Sequence, residues 1–332
     1  MSRVFVTGGA GYVGAALVPR LLAAGHSVTV FDLFVFGDHL PADSPRMARV
    51  KGDIRDEGLL RRILPGHDAV IHLACISNDP SFALDPGLSR TINFECFEPM
   101  VVAAREAGVR RFIYASTSSV YGVSDAENVT EEHPLVPLTD YNKYKGLCEP
   151  LLFKHQAPGF TTVTIRPATV CGYSPRLRLD LTVNVLTMSA VVNGKITVFG
   201  GSQRRPNIHI DDVCDLYAML LELPDGLIAG KTYNAGYQNH TVAEIAGIVR
   251  DVVSREVPGR EHVEIVTTPS NDLRSYHISS EKIRRELGFV PTRTIEDAVR
   301  DLCRAFGAGK VPDPVGAIQY YNVKAIQAAG LR

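Results

Sequence analysis

Several marks of specialised protein classes are missing from this chain. Its six cysteines, Cys75, Cys96, Cys148, Cys171, Cys214 and Cys303, stand singly along 332 residues. They form neither the close pairs of a zinc site nor the dense framework of a small disulfide-stapled domain, so reduced thiols are expected. An excess of one charge is also lacking: 35 Lys and Arg against 36 Asp and Glu leave a net charge of −1. That balance gives no electrostatic case for nucleic acid or an anionic membrane as partner. No apolar run reaches the length of a membrane span, and the stretch from Ala69 to Ile76 is interrupted by His72. Met1-Ser2-Arg3 runs straight into a strand-like segment without a basic leader or a small-residue cleavage site, so a cytoplasmic protein is expected. His133 and His209 have no ligand partners at metal-binding spacing, and no metal is expected.

What is present is a foldable core and a regular alternation of elements. Apolar residues make up 45% of the sequence, and the length calls for two lobes or one large α/β domain with a cap. Strand-like Arg3 to Thr7 leads through a glycine turn to an apolar helix from Tyr12 to Ala24 and a second strand from Ser27 to Asp32. Further strand-like runs at Ala48 to Lys51, Ala69 to Leu73, Arg111 to Ala115 and Thr161 to Ile165 alternate with helical stretches such as Pro86 to Ala107 and Asp140 to Lys154. Such alternation predicts a doubly wound parallel sheet. After Arg166-Pro167 the rhythm breaks into loop-rich sequence through Asn207. The expected division is a dinucleotide-binding domain over 1–167 with returns at 208–223 and 231–236, a smaller substrate lobe over 168–207 and 237–306, and a surface tail over 307–332 that is open to folding against the body.

The first turn reads Gly8-Gly9-Ala10-Gly11-Tyr12-Val13-Gly14, between a strand and a helix. Glycine lets the backbone approach a pyrophosphate, and the helix N-terminus offers unpaired N–H groups and a partial positive charge. Asp32, at the end of the second strand, can accept from adenosine ribose hydroxyls and would repel a 2′-phosphate, so NAD is expected rather than NADP. Asp53, in Lys51-Gly52-Asp53-Ile54, follows the third strand and is either an adenine contact or an ordinary turn aspartate.

Tyr141 and Lys145 stand four apart on a predicted helix and so share one face. A free tyrosine titrates near pH 10; to act as a base near neutrality it needs a depression of about three units, or about 4 kcal/mol. The Lys145 ammonium and a positive nicotinamide are the expected sources. Thr117, in Ser116-Thr117-Ser118-Ser119, is placed to hold a substrate hydroxyl while Tyr141 takes its proton. Ser77 and Asn78 follow the fourth strand, where open α/β sheets bind ligands, and are substrate-loop candidates. Asn184 either bonds a sugar nucleotide or packs within its helix.

On these residues the chain resembles the extended short-chain dehydrogenases/reductases, in the NAD-dependent nucleotide-sugar epimerase and dehydratase family. The resemblance spans nearly the whole chain and rests on Thr7 to Gly14, Asp32, Asp53-Ile54, His72-Leu73-Ala74, Asn93, Ser116 to Gly122, Tyr141 to Lys145, Arg166-Pro167, and Arg205 before Ile208-His209-Ile210-Asp211-Asp212. It implies a Rossmann fold, a catalytic set of Thr117, Tyr141 and Lys145, and a nucleotide-diphosphate sugar held between the lobes. Cofactor contacts are implied at Gly8, Gly11, Tyr12, Val13 and Gly14. They continue at Asp32, Leu33, Asp53 and Ile54, then at Leu73, Ala74 and Cys75, and at Asn93, Pro167 and Val170 on the nicotinamide side. Arg205 and Arg274 are the candidates for the diphosphate. A homodimer is implied through the helices of Asn93 and Lys145, which Pro99 and Pro150 are expected to kink.

Departures narrow the chemistry. The family's 4,6-dehydratases carry an acidic residue just after the catalytic Thr, where this chain has Ser118 and Ser119, both taken as substrate-side residues; dehydration is disfavoured. Members that epimerise through an acidic carbon often place cysteine where Ser119 stands. Thr169 replaces a usual Asn, and the basic run Ser174-Pro175-Arg176-Leu177-Arg178 is a substitute grip on the diphosphate, a reader of a sugar carboxylate through Arg176 or Arg178, or a solvated loop; Arg176 is the expected substrate contact. The expected reaction is epimerisation, most simply at C4, with reduction or dehydration of a nucleotide sugar as alternatives and a non-catalytic NAD sensor as a third.

Overall fold

A computed structural model describes residues 1–124, 126–270 and 275–331. Among the described residues there are twelve strands: β1 (Arg3–Thr7), β2 (Ser27–Asp32), β3 (Met47–Lys51), β4 (Ala69–His72), β5 (Arg111–Ala115), β6 (Thr161–Pro167), β7 (Thr169–Cys171), β8 (Lys195–Phe199), β9 (Arg204–His209), β10 (Lys231–Ala235), β11 (Gln238–Thr241) and β12 (Glu264–Thr268). Seven of them form one sheet in the order β3-β2-β1-β4-β5-β6-β10, every pair parallel. The central strands are short apolar runs because helices cover both faces; all four residues of β4 are buried. The order reverses between β1 and β4, whose register sets Thr7 opposite His72. A cleft opens at such a reversal, beyond the strands' carboxyl ends.

One face of the sheet packs against the helices Tyr12–Ala23 and Ile210–Glu222, through Leu17, Leu21, Val213 and Leu216. The other face is covered by Glu57–Ile63, Phe97–Glu106 and Asp140–Phe153, through Leu60, Met100, Cys148 and Leu152. A separate core holds the second lobe: Val183 and Ala190 of the helix Thr182–Asn193 meet Ile245, Val249 and Val299 of the helices Val242–Glu256 and Ile295–Gly307. The parallel pair β8-β12 and the sheet β11-β9-β7 complete that lobe.

Two sequence expectations need correction. The stretch from Pro86 to Ala107 is not one helix: Pro86–Arg90 runs into a π-helical turn, Thr91–Glu95, and only then into Phe97–Glu106. Pro99 therefore sits in the first turn of its helix, where a missing N–H costs little, and not in an interior that it would kink. Pro150 does lie inside the helix Asp140–Phe153. The loop-rich reading of 168–207 missed the helix Thr182–Asn193, whose Thr-Val-Asn-Val-Leu-Thr-Met-Ser-Ala-Val-Val-Asn has no polar face and many β-branched residues. The residues from 307 onward fold against the body. Tyr320, Asn322, Ala325 and Ile326 are buried, and a helix spans Asn322–Ala329.

Candidate active site

The cleft at the sheet's switch point has a volume of ≈ 480 Å³. Its floor is the turn after β1. Gly8 has φ +69°, and a Cβ there would lie 2.6 Å from the Ala74 nitrogen; one on Gly14 would lie 2.4 Å from the Gly9 oxygen. These two positions need glycine because backbone meets backbone. Gly11 is the N-cap of the helix Tyr12–Ala23, and neither a capping side chain nor an acidic first-turn residue competes for that terminus. Gly8, Gly11, Tyr12, Val13 and Gly14 all face the cleft. The Tyr12 side chain also ties the lobes: its hydroxyl donates to the Gly172 carbonyl at 2.7 Å, and burial raises its pKa far above 10.

Asp32 and Leu33 form the wall beyond β2. The Asp32 carboxylate accepts from the backbone N–H groups of Ala10, at 3.0 Å, and Phe34, at 2.8 Å. Burial raises its pKa above 3.8 despite those bonds. Asp53 and Ile54 also line the cleft. Asp53 is paired with Arg55 at 2.7 Å; burial pushes its carboxyl up, but the Arg55 bonds hold it below its ordinary value.

Leu73, Ala74, Cys75, Ser77 and Asn78 line the cleft after β4, and Pro167, Thr169, Val170 and Arg205 line it from the second lobe's side. Thr117, Ser119, Tyr141 and Lys145 complete the wall. Thr117 caps a 3-10 turn, Ser118–Tyr121, by accepting from the Ser119 N–H at 3.2 Å. The Ser119 and Tyr276 hydroxyls are 3.1 Å apart. Thr139 caps the Tyr141 helix and donates to Asp79 at 2.6 Å. Behind this wall Ser116 donates to Glu149 at 2.6 Å, and Glu149 holds Arg166 at 3.0 and 2.6 Å.

The electrostatics of Tyr141 differ from the sequence expectation. Burial, then the neighbouring Cys75, pushes the phenol well above 10, and Arg178 is the cation that pulls it back. Lys145 instead gives its Nζ hydrogen bond to the Ala115 carbonyl at 2.8 Å and lies 5.1 Å from the Tyr114 ring centre.

Three of the predicted contacts lie off the cleft. Asn93 is buried and clamps the loop after β4: its Oδ1 accepts from the Ile76 N–H at 2.8 Å and its Nδ2 donates to the Ile76 carbonyl at 2.9 Å. Ser118 is 1% exposed, with its hydroxyl turned to Tyr276 at 3.4 Å. Asn184 is fully buried and spends its amide on the Gly172 N–H at 3.0 Å, the Arg178 carbonyl at 2.9 Å and the Tyr12 hydroxyl at 3.2 Å. Arg274 lies outside the described residues.

Arg176 and Arg178 are both buried in the cleft wall. Burial, with Arg178 beside it, pushes Arg176 down to about 9; its guanidinium lies 3.7 Å from the Phe36 ring centre. Arg178 pairs with Asp180 at 2.9 Å and donates to the Ser77 hydroxyl at 3.1 Å. Asp180, Tyr276 and Asn322 also line the cleft and went unread in the sequence; Tyr276 and Asn322 meet their partners across long chain separations, and Asp180, though paired with nearby Arg178, meets Asn78 and Asn322 only through folding. Among the described residues, His209, Asp211 and Asp301 form a cluster outside the cleft, joined by folding and not by spacing. Its carboxylates already pair with Arg20 at 2.8 Å and Arg304 at 3.1 Å.

The family model for the NAD dependent epimerase/dehydratase family matches residues 4–236. The chain belongs to this family. It is 27% identical over 323 residues to a dTDP-glucose 4,6-dehydratase of Actinoplanes sp., covering 93% of this chain and 98% of that one. A UDP-glucose 4-epimerase of Lacticaseibacillus casei is 27% identical over 307 residues, covering 87% and 91%. The crystal structure of dTDP-glucose 4,6-dehydratase from Streptomyces venezuelae with NAD bound superposes with a TM-score of 0.81 at 27% identity, covering 94% of this chain and 99% of that one. The cofactor is NAD. The cleft fits it: an uncapped helix N-terminus for the diphosphate, backbone held close by Gly8 and Gly14, and the Asp32 carboxylate where a ribose would lie. No helix of the described residues is long and apolar enough to cross a membrane.

Proposed function

We propose that the chain epimerises a nucleotide-diphosphate sugar, most simply at C4, through a transient keto sugar. The observation that carries this reading over dehydration is the state of the cleft's carboxylates. Asp32 accepts from two backbone N–H groups, Asp53 from Arg55, Asp79 from Thr139 and Asp180 from Arg178. Elimination of water needs an acid beside the catalytic Thr, and the residues there are Ser118 and Ser119. The dehydratases among the relatives make a 4,6-dehydration the alternative reading.

The chemistry NAD supplies when bound is reversible hydride transfer, with a positive nicotinamide ring that favours a phenolate nearby. Thr117 holds the reacting hydroxyl and Tyr141 removes its proton as hydride leaves. The ketone turns in the cleft, and Tyr141 returns the proton after the opposite face is reduced. Thr117, Tyr141 and Lys145 are the catalytic set, and Arg205 is the proposed partner of the substrate diphosphate. The cleft-lining Ser77, Asn78, Ser119 and Thr169 face the sugar.

The test is proton NMR of a panel of nucleotide sugars incubated with the protein and NAD. An isomeric sugar formed without net NADH supports the reading, and a 4-keto-6-deoxy product replaces it with dehydration. Tyr141→Phe is expected to abolish turnover while NAD binding persists; unchanged turnover removes Tyr141 as the base. We also propose a cytoplasmic homodimer. Exposed Leu135, Val136, Leu138 and Leu147 on and before the Tyr141 helix support an interface there, and sedimentation showing only monomer at micromolar concentration refutes it.

A further inference from the structure

The C-terminal helix Asn322–Ala329 reaches back to the cofactor cleft. Asn322 is 2% exposed and makes polar bonds to two loops far away in sequence. Its Nδ2 donates to the Ser77 hydroxyl at 2.8 Å, in the loop after β4. Its backbone N–H donates to Asp180 at 3.3 Å, and its Oδ1 accepts from Arg176 Nη2. Asn78 Nδ2 also donates to Asp180, at 3.2 Å, which closes a polar knot over three chain segments. Below it Ile326 is buried in the core that contains Phe5, Phe31 and Ile54, and both Ile326 and Leu331 line the cleft.

Arg176 is the member of the knot that matters for the cofactor. It lies against Phe36, three positions past the Asp32-Leu33 corner, and its charge acts on Asp32. Its Nε has no protein partner, so Asn322 supplies the one side-chain hydrogen bond seen for this guanidinium. A buried arginine with one side-chain hydrogen bond and an aromatic face takes its direction from those two contacts. Removing Asn322 would free it to turn, and would untie Ser77 from Asp180's loop.

We propose that Asn322 is a positioning residue for dinucleotide binding: it aims Arg176 at the adenosine-diphosphate half of NAD, and the C-terminal helix is the third wall of the cleft. Arg176 thereby moves from the sugar end, where its sequence neighbours suggested it, to the cofactor end. The inference rests on the NAD reading of the cleft. Its test therefore reads NAD binding directly, without turnover.

The experiment is isothermal titration of NAD and of ADP-ribose into the full chain and into Asn322→Ala, Asn322→Gln and Gln327→Ala, the last an exposed position on the same helix. Thermal melts on each show whether it is folded. Asn322→Ala is expected to weaken both ligands about tenfold, with kcat at saturating NAD reduced less than the affinity. Asn322→Gln recovers part of the loss, and Gln327→Ala binds as the unaltered chain does. Arg176→Lys, which keeps the charge and loses the fork, is expected to match Asn322→Ala, and combining the two adds little further loss. Folded Asn322→Ala that binds NAD within twofold of the unaltered chain overturns the inference, as does an equal loss in Gln327→Ala. Failure of the unaltered chain to bind NAD overturns the reading of the cleft itself.

Discussion

Glu149 offers the clearest test of how the catalytic wall is held. It stands about two turns beyond Tyr141 on the same helix, with its side chain 4% exposed. Its carboxylate takes three hydrogen bonds: Ser116 Oγ at 2.6 Å, Arg166 Nε at 3.0 Å and Arg166 Nη2 at 2.6 Å. Glu149→Gln keeps the shape, removes the charge and turns an NH₂ toward a guanidinium that is 7% exposed. Arg166 then retains the Tyr121 hydroxyl at 2.7 Å and the Glu131 carbonyl at 3.4 Å, neither of which carries a charge. Breaking a buried pair by removing one partner costs ~3–5 kcal/mol, whereas replacing both partners by apolar groups is often neutral. Urea unfolding followed by circular dichroism is expected to show that loss for Glu149→Gln, and a smaller one for Glu149→Leu combined with Arg166→Met. In Glu149→Leu combined with Arg166→Met turnover is expected to fall ~10- to 100-fold as well, because Ser116 precedes Thr117 and there loses its anchor. A loss below 1 kcal/mol for Glu149→Gln would refute the reasoning.

Asp32→Ala is expected to narrow the preference for NAD over NADP at least tenfold in direct binding, since it removes the charge that repels a 2′-phosphate. In the unaltered chain, NAD affinity is expected to weaken as the pH falls through the Asp32 pKa, which burial has raised above 3.8; a flat profile down to pH 4 counts against Asp32 as the ribose acceptor. His72, 4% exposed and 2.7 Å from Thr7 Oγ1, is pushed down to about 3 by burial and by Lys145. The unfolded chain binds this proton below 6.5 and the folded chain does not, so stability falls as the pH drops from 6.5 toward 3, by up to about 5 kcal/mol at 1.36 kcal/mol per unit. Titration calorimetry or pH-dependent unfolding of His72→Asn, with a similar acid slope to the unaltered chain, would assign the loss elsewhere.

The sheet and the cofactor turn were legible because their signals are local. Val4-Phe5-Val6 and Val70-Ile71 read as buried strands, and Gly8 to Gly14 occupies one strand-to-helix junction. Lys231 to Gly236 was read as a possible return to the sheet, and β10 does pair with β6. What escaped was set by tertiary packing. The helix Thr182–Asn193 has no polar stripe to reveal a period, and it is held by being enclosed in the second lobe. Asn93 and Asn184 resemble ligand contacts in sequence, yet each spends its amide on buried backbone that helix or sheet leaves unpaired. Asn322 had no local signal at all: its partner Ser77 is 245 residues away.

The same packing decides the resting state of the proposed base. Two cations lie on Tyr141's side of the cleft, and both are already committed. Lys145 gives its hydrogen bond to Ala115, and Arg178 is neutralised by Asp180. Burial and Cys75 then hold the phenol above 10, so the chain's own residues leave Tyr141 protonated at neutral pH. More than the three units that separate a free tyrosine from neutrality, and so more than about 4 kcal/mol, must therefore come with ligand binding and not from the protein alone. Positive charge on the nicotinamide ring is one contribution. The Lys145 ammonium, were it to leave the Ala115 carbonyl, would be another. A base that is armed only when the cleft is filled deprotonates a sugar hydroxyl where hydride has an acceptor, and rests as a neutral phenol otherwise.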